Sequence, residues 1–493
     1  MKTGGFDFNE RNFLKLEEML SAQRPASNEL YSHRVSLFCR LADVAYAPKE
    51  KKFKFGLASY YTWLLWKLLT SRPARVGAPP PADFLVHIVG DVSKEVDTLA
   101  PVVAALRRSG HSVLVLWGFG GPVPEKIASR LNGATIWTIP DLATGRSARI
   151  FHAAEVFETF RQLRRAFRFL RPLPEARRAF RKSSSWWFHD FLLMKSWERW
   201  LGDALAEHRF KGVAVVSESA ASTQALCRVA RKHGWPAHHF LHGLPGFMHT
   251  HTIASDIHCF GECDRNFFIR AGHPPERTHA NGHPRQAGLA GAIRALRNQS
   301  PEEGGLRILF ASQPAWSESQ SDMDNYRLSV ETVSNAANQL SLAPAEFRAR
   351  LHPVEDRQTY LEIARRCAPT LAASTISSHS VAEDLAWANV VLTPFSTMSM
   401  EAVYAGCLLF WLPTGGFHYE IAEELIERGY GLRVNSAGEL AQQLANCRNP
   451  TARAGLIAGQ TARAHALKIL NPEAATAAAA CMADMQDKQR NLK

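Results

Sequence analysis

Phe84-Leu85-Val86-His87-Ile88-Val89, closed by Gly90-Asp91, is a continuous apolar run of the kind that forms a strand buried on both faces. Thr98 to Leu106 then predicts a helix, which Ser109-Gly110-His111 ends, and Val113–Trp117 predicts a second buried strand. Strand, helix and strand at this spacing make a βαβ unit. Its parallel pairing calls for a doubly wound sheet covered by helices on both faces.

Outward from that unit the same alternation recurs. Val213–Val216, a helix from Ala221 to His233, His239–Leu241 and Asp256–Phe260 continue the first series. Asn298 to Gly305 is polar and reads as a linker. Beyond it Leu306–Phe310, Phe347–Leu351, Val390–Leu392 and Leu408–Leu412 form a second series, followed by Ala-rich helices from Ala437. The chain of 493 residues exceeds what one hydrophobic core serves, so two domains of roughly 200 residues are expected. The expected division is an N-terminal helical extension over 1–80, a Rossmann-like domain over 81–297 and a second over 298–493. A long basic helical insertion, about 148–201, interrupts the first domain. Two such domains predict a ligand cleft between them.

A net charge of +12 implies an anionic partner: a phosphorylated substrate, an anionic leaflet or nucleic acid. Met1–Glu10 is polar and does not read as a signal peptide, and the longest apolar run, Gly56 to Trp66, is too short to span a bilayer. The eight cysteines have no scaffold spacing, which fits a reduced, cytoplasmic location. Cys259 and Cys263 lack a second pair, so no metal site is expected. No G-x-G-x-x-G follows the first strand, which argues against a nicotinamide enzyme; no cofactor is expected.

The chemistry concentrates at strand ends. Leu351-His352-Pro353-Val354-Glu355-Asp356 and Thr393-Pro394-Phe395-Ser396-Thr397 each close a strand of the second series. In open parallel sheets ligands bind beyond the carboxyl ends of the strands. His352 can donate to a phosphate, with Pro353 fixing the chain after it. Ser396 and Thr397 open a helix, where a hydroxyl caps the backbone or helps to hold an anion. Glu401, one turn on, can reach a ribose hydroxyl or be an exposed helical acid. Glu355 and Asp356 read first as helix caps. Ser312-Gln313-Pro314, after the first strand of this domain, is a further candidate for phosphate or base.

In the first domain, His242 in Leu241-His242-Gly243-Leu244-Pro245-Gly246 can act as acid, base or anion ligand. A base for an acceptor hydroxyl is expected in the set of Asp91, the best placed, then Glu95 and Asp97, with Glu218 closing another strand, although each alone reads first as a solvated loop acid. Asn281-Gly282-His283-Pro284-Arg285 lines the cleft or turns the chain.

Taken in order, His242-Gly243, Gly261-Glu262, Gly272, Asn281 through Arg285, Leu351-His352-Pro353 and Phe395-Ser396-Thr397 with Glu401-Ala402 resemble the bacterial surface-polysaccharide transferases of the GT-B fold. That group includes capsule and lipopolysaccharide sialyl- and Kdo-transferases and the CDP-glycerol glycerophosphotransferases. The resemblance spans about Phe84 to Val434. It implies a GT-B type α/β fold and a glycosyltransferase that uses a nucleotide-sugar donor, CMP-linked by preference and UDP-linked otherwise. The acceptor implied is a surface glycan or a lipid-linked acceptor. It assigns His352, Ser396 and Thr397 to the donor nucleotide and promotes His242; because those donor-site groups can neutralise charge without a metal, metal-independent catalysis is expected. The family's acidic base motif has no clear counterpart, since Asp91, Glu95 and Asp97 are spaced differently. Alternatives are a glycerophosphotransferase, a sugar-nucleotide epimerase, and an inactive membrane- or polyanion-binding protein.

Phe160 to Lys182 carries nine cations against Glu175 alone, with Phe160, Leu163, Phe167 and Leu170 at helical spacing and Trp186-Trp187-Phe188 following. Together with Lys51 to Lys67, the stretch from Arg161 to Trp187 suits peripheral attachment to an anionic membrane, or else a core-packed helix with a solvated arginine face. No nucleic-acid motif accompanies the charge.

Overall fold

The computed structural model describes residues 72–73 and 78–490 apart from 90–91, 119–121, 132, 139–147, 150–152, 172–173, 217, 219, 246–251, 300–304, 315–319, 354, 370, 372–375 and 414–419. Most of the expected N-terminal extension, Lys51 to Lys67 and Asp91 therefore lie outside the described residues.

The first series runs β1 (Phe84–Ile88), α1 (Val92–Arg108), β2 (Val113–Trp117), α2 (Glu125–Arg130), β3 (Thr135–Thr138), α3 (Ala153–Phe169), α4 (Pro174–Ala204), β4 (Gly212–Val215), α5 (Ala221–His233), β5 (Ala237–Phe240) and β6 (Asp256–Cys259). Then come α6 (Glu262–Arg270), β7 (Thr278–Ala280) and α7 (Gln286–Gln299). The second series is β8 (Ile308–Ala311), α8 (Gln320–Gln339), β9 (Phe347–Arg350), α9 (Arg357–Cys367), α10 (Val381–Trp387), β10 (Val390–Thr393), α11 (Met398–Tyr404), β11 (Leu408–Trp411), α12 (Glu420–Glu427) and β12 (Leu432–Arg433). The chain closes with α13 (Ala437–Cys447), α14 (Pro450–Ala466) and α15 (Ala474–Arg490).

Two doubly wound sheets result. The seven-stranded sheet has the order β3-β2-β1-β4-β5-β6-β7, and the five-stranded sheet has the order β9-β8-β10-β11-β12. The pairs from β3 to β6 and throughout the smaller sheet are parallel. Their central strands are buried at every position, as unbroken apolar runs require.

The chain divides into two compact units: residues up to His242 with Phe247–His258 and Ala475–Lys493, and Gly243–Gly246 with Cys259–Ala474. The division expected at 297/298 thus falls earlier, because α6 and α7 pack with the second series. From α7, the Arg297 guanidinium donates to the carbonyls of Leu385, Ala386, Ala388 and Ala405, which fastens the helix to α10 and α11. In the other direction Ala478, Ala479 and Met482 of α15 join the core around β1, β2 and α1.

The basic insertion forms α3 and α4. Leu170, Phe180, Trp187 and Phe188 are buried in the first unit, so the aromatic run expected to meet a membrane is largely core. Trp187 stacks on Phe191 with ring centroids 5.2 Å apart. Among the described residues no helix is long and apolar enough to cross a membrane.

Candidate functional site

In the second unit β8 continues to β9 on one side, and the chain then returns to place β10 on β8's other side. The point where the order reverses lies between β8 and β10, and crevices beyond such points take ligands. Ser312-Gln313 follows β8 directly, His352-Pro353 follows β9 after Leu351, and Ser396-Thr397 follows β10 after Pro394-Phe395. Three clusters read separately from the sequence therefore close three adjacent strands at the same edge.

The turn after β9 is held by Glu355. Its Oε2 accepts from the His352 backbone N–H at 3.0 Å, and its own N–H donates to the His352 carbonyl at 2.9 Å. Its Oε1 accepts from Ser312 Oγ at 2.8 Å and from Tyr326 Oη at 2.6 Å. One carboxylate thus binds the ends of β8 and β9 to α8. Burial pushes the Glu355 carboxyl up, against the opposing pull of these three donors. Burial and the neighbouring Glu355 charge raise Tyr326 as well. The expectation that Glu355 caps a helix is corrected here. Asp356 alone caps α9, accepting from the N–H groups of Gln358 and Thr359. The spacing of His352 and Glu355, three residues apart across a proline turn, was the available signal for Glu355; Tyr326, distant in sequence, had none.

At the end of β10, Ser396 Oγ accepts from the Met398 N–H at 3.2 Å, and Thr397 stands half-buried at the start of α11 without a side-chain cap bond. Gly243 approaches this point: a Cβ placed there would lie 3.4 Å from Thr397 Oγ1. A side chain there would meet the hydroxyl at ordinary van der Waals contact. Glu401 is buried and ion-paired with Arg285. It is not an exposed helical acid, and one of its oxygens is committed to the guanidinium. Arg285 comes from the stretch that follows β7, where His283 stacks on Phe260 with centroids 4.8 Å apart.

In the first unit the proposed bases divide. Glu95 is buried in the first turn of α1, and its Oε2 accepts from the Val89 N–H at 2.6 Å. Glu218 accepts from the N–H groups of Ile253 at 2.7 Å and Ala254 at 3.1 Å and from the Thr252 hydroxyl. Both carboxylates fasten loops. His242 is half-buried just beyond β5, and Asp97 forms a surface ion pair with Arg130 at 2.6 Å.

These features define an α/β protein of the GT-B type, built from two Rossmann-like units. No family model and no curated protein matches the sequence. Among solved structures, a Listeria monocytogenes protein assigned as a UDP-N-acetylglucosamine 2-epimerase aligns with a TM-score of 0.51 at 12% identity, covering 82% of this chain and 97% of that one. The UDP-GlcNAc 2-epimerase of Neisseria meningitidis, solved with UDP-GlcNAc, gives 0.48 at 11% identity, over 82% and 99%. MurG of Acinetobacter baumannii gives 0.44 at 14% identity, over 83% and 100%. At 12% identity the first of these establishes the architecture and nothing finer.

Proposed function

We propose that the protein is a glycosyltransferase that moves a sugar from a nucleotide-activated donor to a bacterial surface glycan or a lipid-linked acceptor. The observation that supports this reading is that Ser312, the His352 turn and Ser396-Thr397 follow three adjacent strands, β8, β9 and β10, around the point where strand order reverses. Hydroxyls and an imidazole placed there can hold a nucleotide phosphate, and they stabilise the charge that grows on it as the glycosidic bond breaks. Gln313 and Glu401 complete the proposed donor site, through the base and a ribose hydroxyl. A CMP-linked sugar is the favoured donor and a UDP-linked sugar the other. Because these groups supply the neutralisation, turnover is expected to withstand chelation.

With Glu95 and Glu218 occupied, the proposed base is His242, and Asp91 is its alternative. The test is release of CMP, UDP or CDP from a panel of nucleotide sugars and CDP-glycerol, with and without glycan acceptors. Sugar transfer accompanied by nucleotide release, abolished in His352→Ala and in either His242→Ala or Asp91→Asn, supports the proposal. Release from CDP-glycerol alone marks a glycerophosphotransferase, and a changed sugar without release marks an epimerase. No reaction with any donor overturns the enzyme reading.

A further inference from the structure

The two large hydrophobic side chains most exposed among the described residues lie three positions apart on α3: Phe157 is 80% exposed and Phe160 is 40% exposed. The helix is split lengthwise. Glu155, Thr159, Gln162 and Ala166 are buried at helical spacing, and Leu170 just beyond the helix continues their line. Glu155 fastens this face to α4, accepting from Ser196 Oγ at 2.6 Å and pairing with Arg199 at 2.6 Å. At 100° per residue, Phe157, Phe160, Arg161, Arg164, Arg165 and Arg168 fall within about 140° of arc on the opposite side. All six are exposed. The acid beside them, Glu158, is paired with Arg161.

Phe160 packs part of its ring on the buried Phe188, with centroids 4.7 Å apart, whereas a helix that only needs an arginine face to be soluble does not need Phe157 there. Aromatic rings between guanidinium groups match the interfacial zone of an anionic bilayer: rings enter the acyl boundary while arginine stems run up to the headgroups. Arg171, Arg177 and Arg181, exposed on the same insertion, extend the positive surface. We infer that the outer face of α3 docks on an anionic lipid surface, with Phe157 as the inserted anchor and the exposed edge of Phe160 beside it. Nothing in this docking requires the transferase reading, so the two stand or fall separately.

The test is co-sedimentation of the full chain with vesicles of phosphatidylcholine alone and of phosphatidylcholine mixed with phosphatidylglycerol. Pelleting is expected with the anionic vesicles only. Phe157→Ser and Arg164→Glu/Arg165→Glu are each expected to lower the bound fraction about tenfold, with thermal unfolding like that of the parent. Equal pelleting of the variants, equal pelleting on neutral vesicles, or binding to single-stranded oligonucleotides in place of vesicles would overturn the inference.

Discussion

Glu355, a half-buried carboxylate, ties the ends of two strands and a helix together. It gathers donors from Ser312, Tyr326 and the His352 backbone. Replacing it by alanine leaves these groups unsatisfied, at a cost of about 2 kcal/mol or more. It also frees the His352 turn. Glu355→Ala is therefore expected to weaken nucleotide binding about tenfold, read by calorimetry. Glu355→Gln, which keeps an acceptor oxygen, should recover part of that loss. Equal affinity in the parent and Glu355→Ala would show that the turn needs no anchor. The hydroxyls of Ser312, Ser396 and Thr397 stood out in the sequence because they follow apolar runs, whereas His352 follows the alternating Phe347–Arg350 strand. The anchor did not stand out, because an acid at a helix start looks like a cap until its distant donors are known.

Among the elements, α6 carries a titrating group. Burial raises Asp264 from 3.8 to about 7, although its Oδ2 accepts from the Phe260 N–H at 3.1 Å. Between these values the folded protein holds a proton that the unfolded chain has released. The unfolded state binds fewer protons there, so stability falls as pH rises through the window. Asp264→Asn removes this dependence and keeps an acceptor. It should raise the unfolding temperature at pH 8, by up to about 4 kcal/mol in equivalent stability, and change little at pH 4. The same gain at both pH values would contradict the assignment. The strands were readable because β8, β10 and β11 are short unbroken apolar runs. The start of α1 at Val92 was not, since Lys94, Glu95 and Asp97 hide its apolar stripe. The membership of α6 and α7 was hidden too, because it is decided by Arg297 reaching carbonyls of α10 and α11, far away in sequence.

For the whole molecule, the division into units does not follow chain order: α15 serves the first core through Ala478, Ala479 and Met482. A buried charge there is costly. Met482→Asp should therefore speed amide exchange in β1 and β2 while leaving β8 to β10 protected, measured by hydrogen exchange with mass spectrometry. Faster exchange confined to β8–β10 would contradict the placement of α15. The ends of β8, β9 and β10 are proposed to form a nucleotide-phosphate site. Calorimetric titration with CMP, UDP and CDP, on the parent and on His352→Ala, tests it most directly. At least one nucleotide is expected to bind the parent, with an affinity that falls tenfold or more in the variant. Absence of binding by all three, or equal binding by the variant, would contradict it.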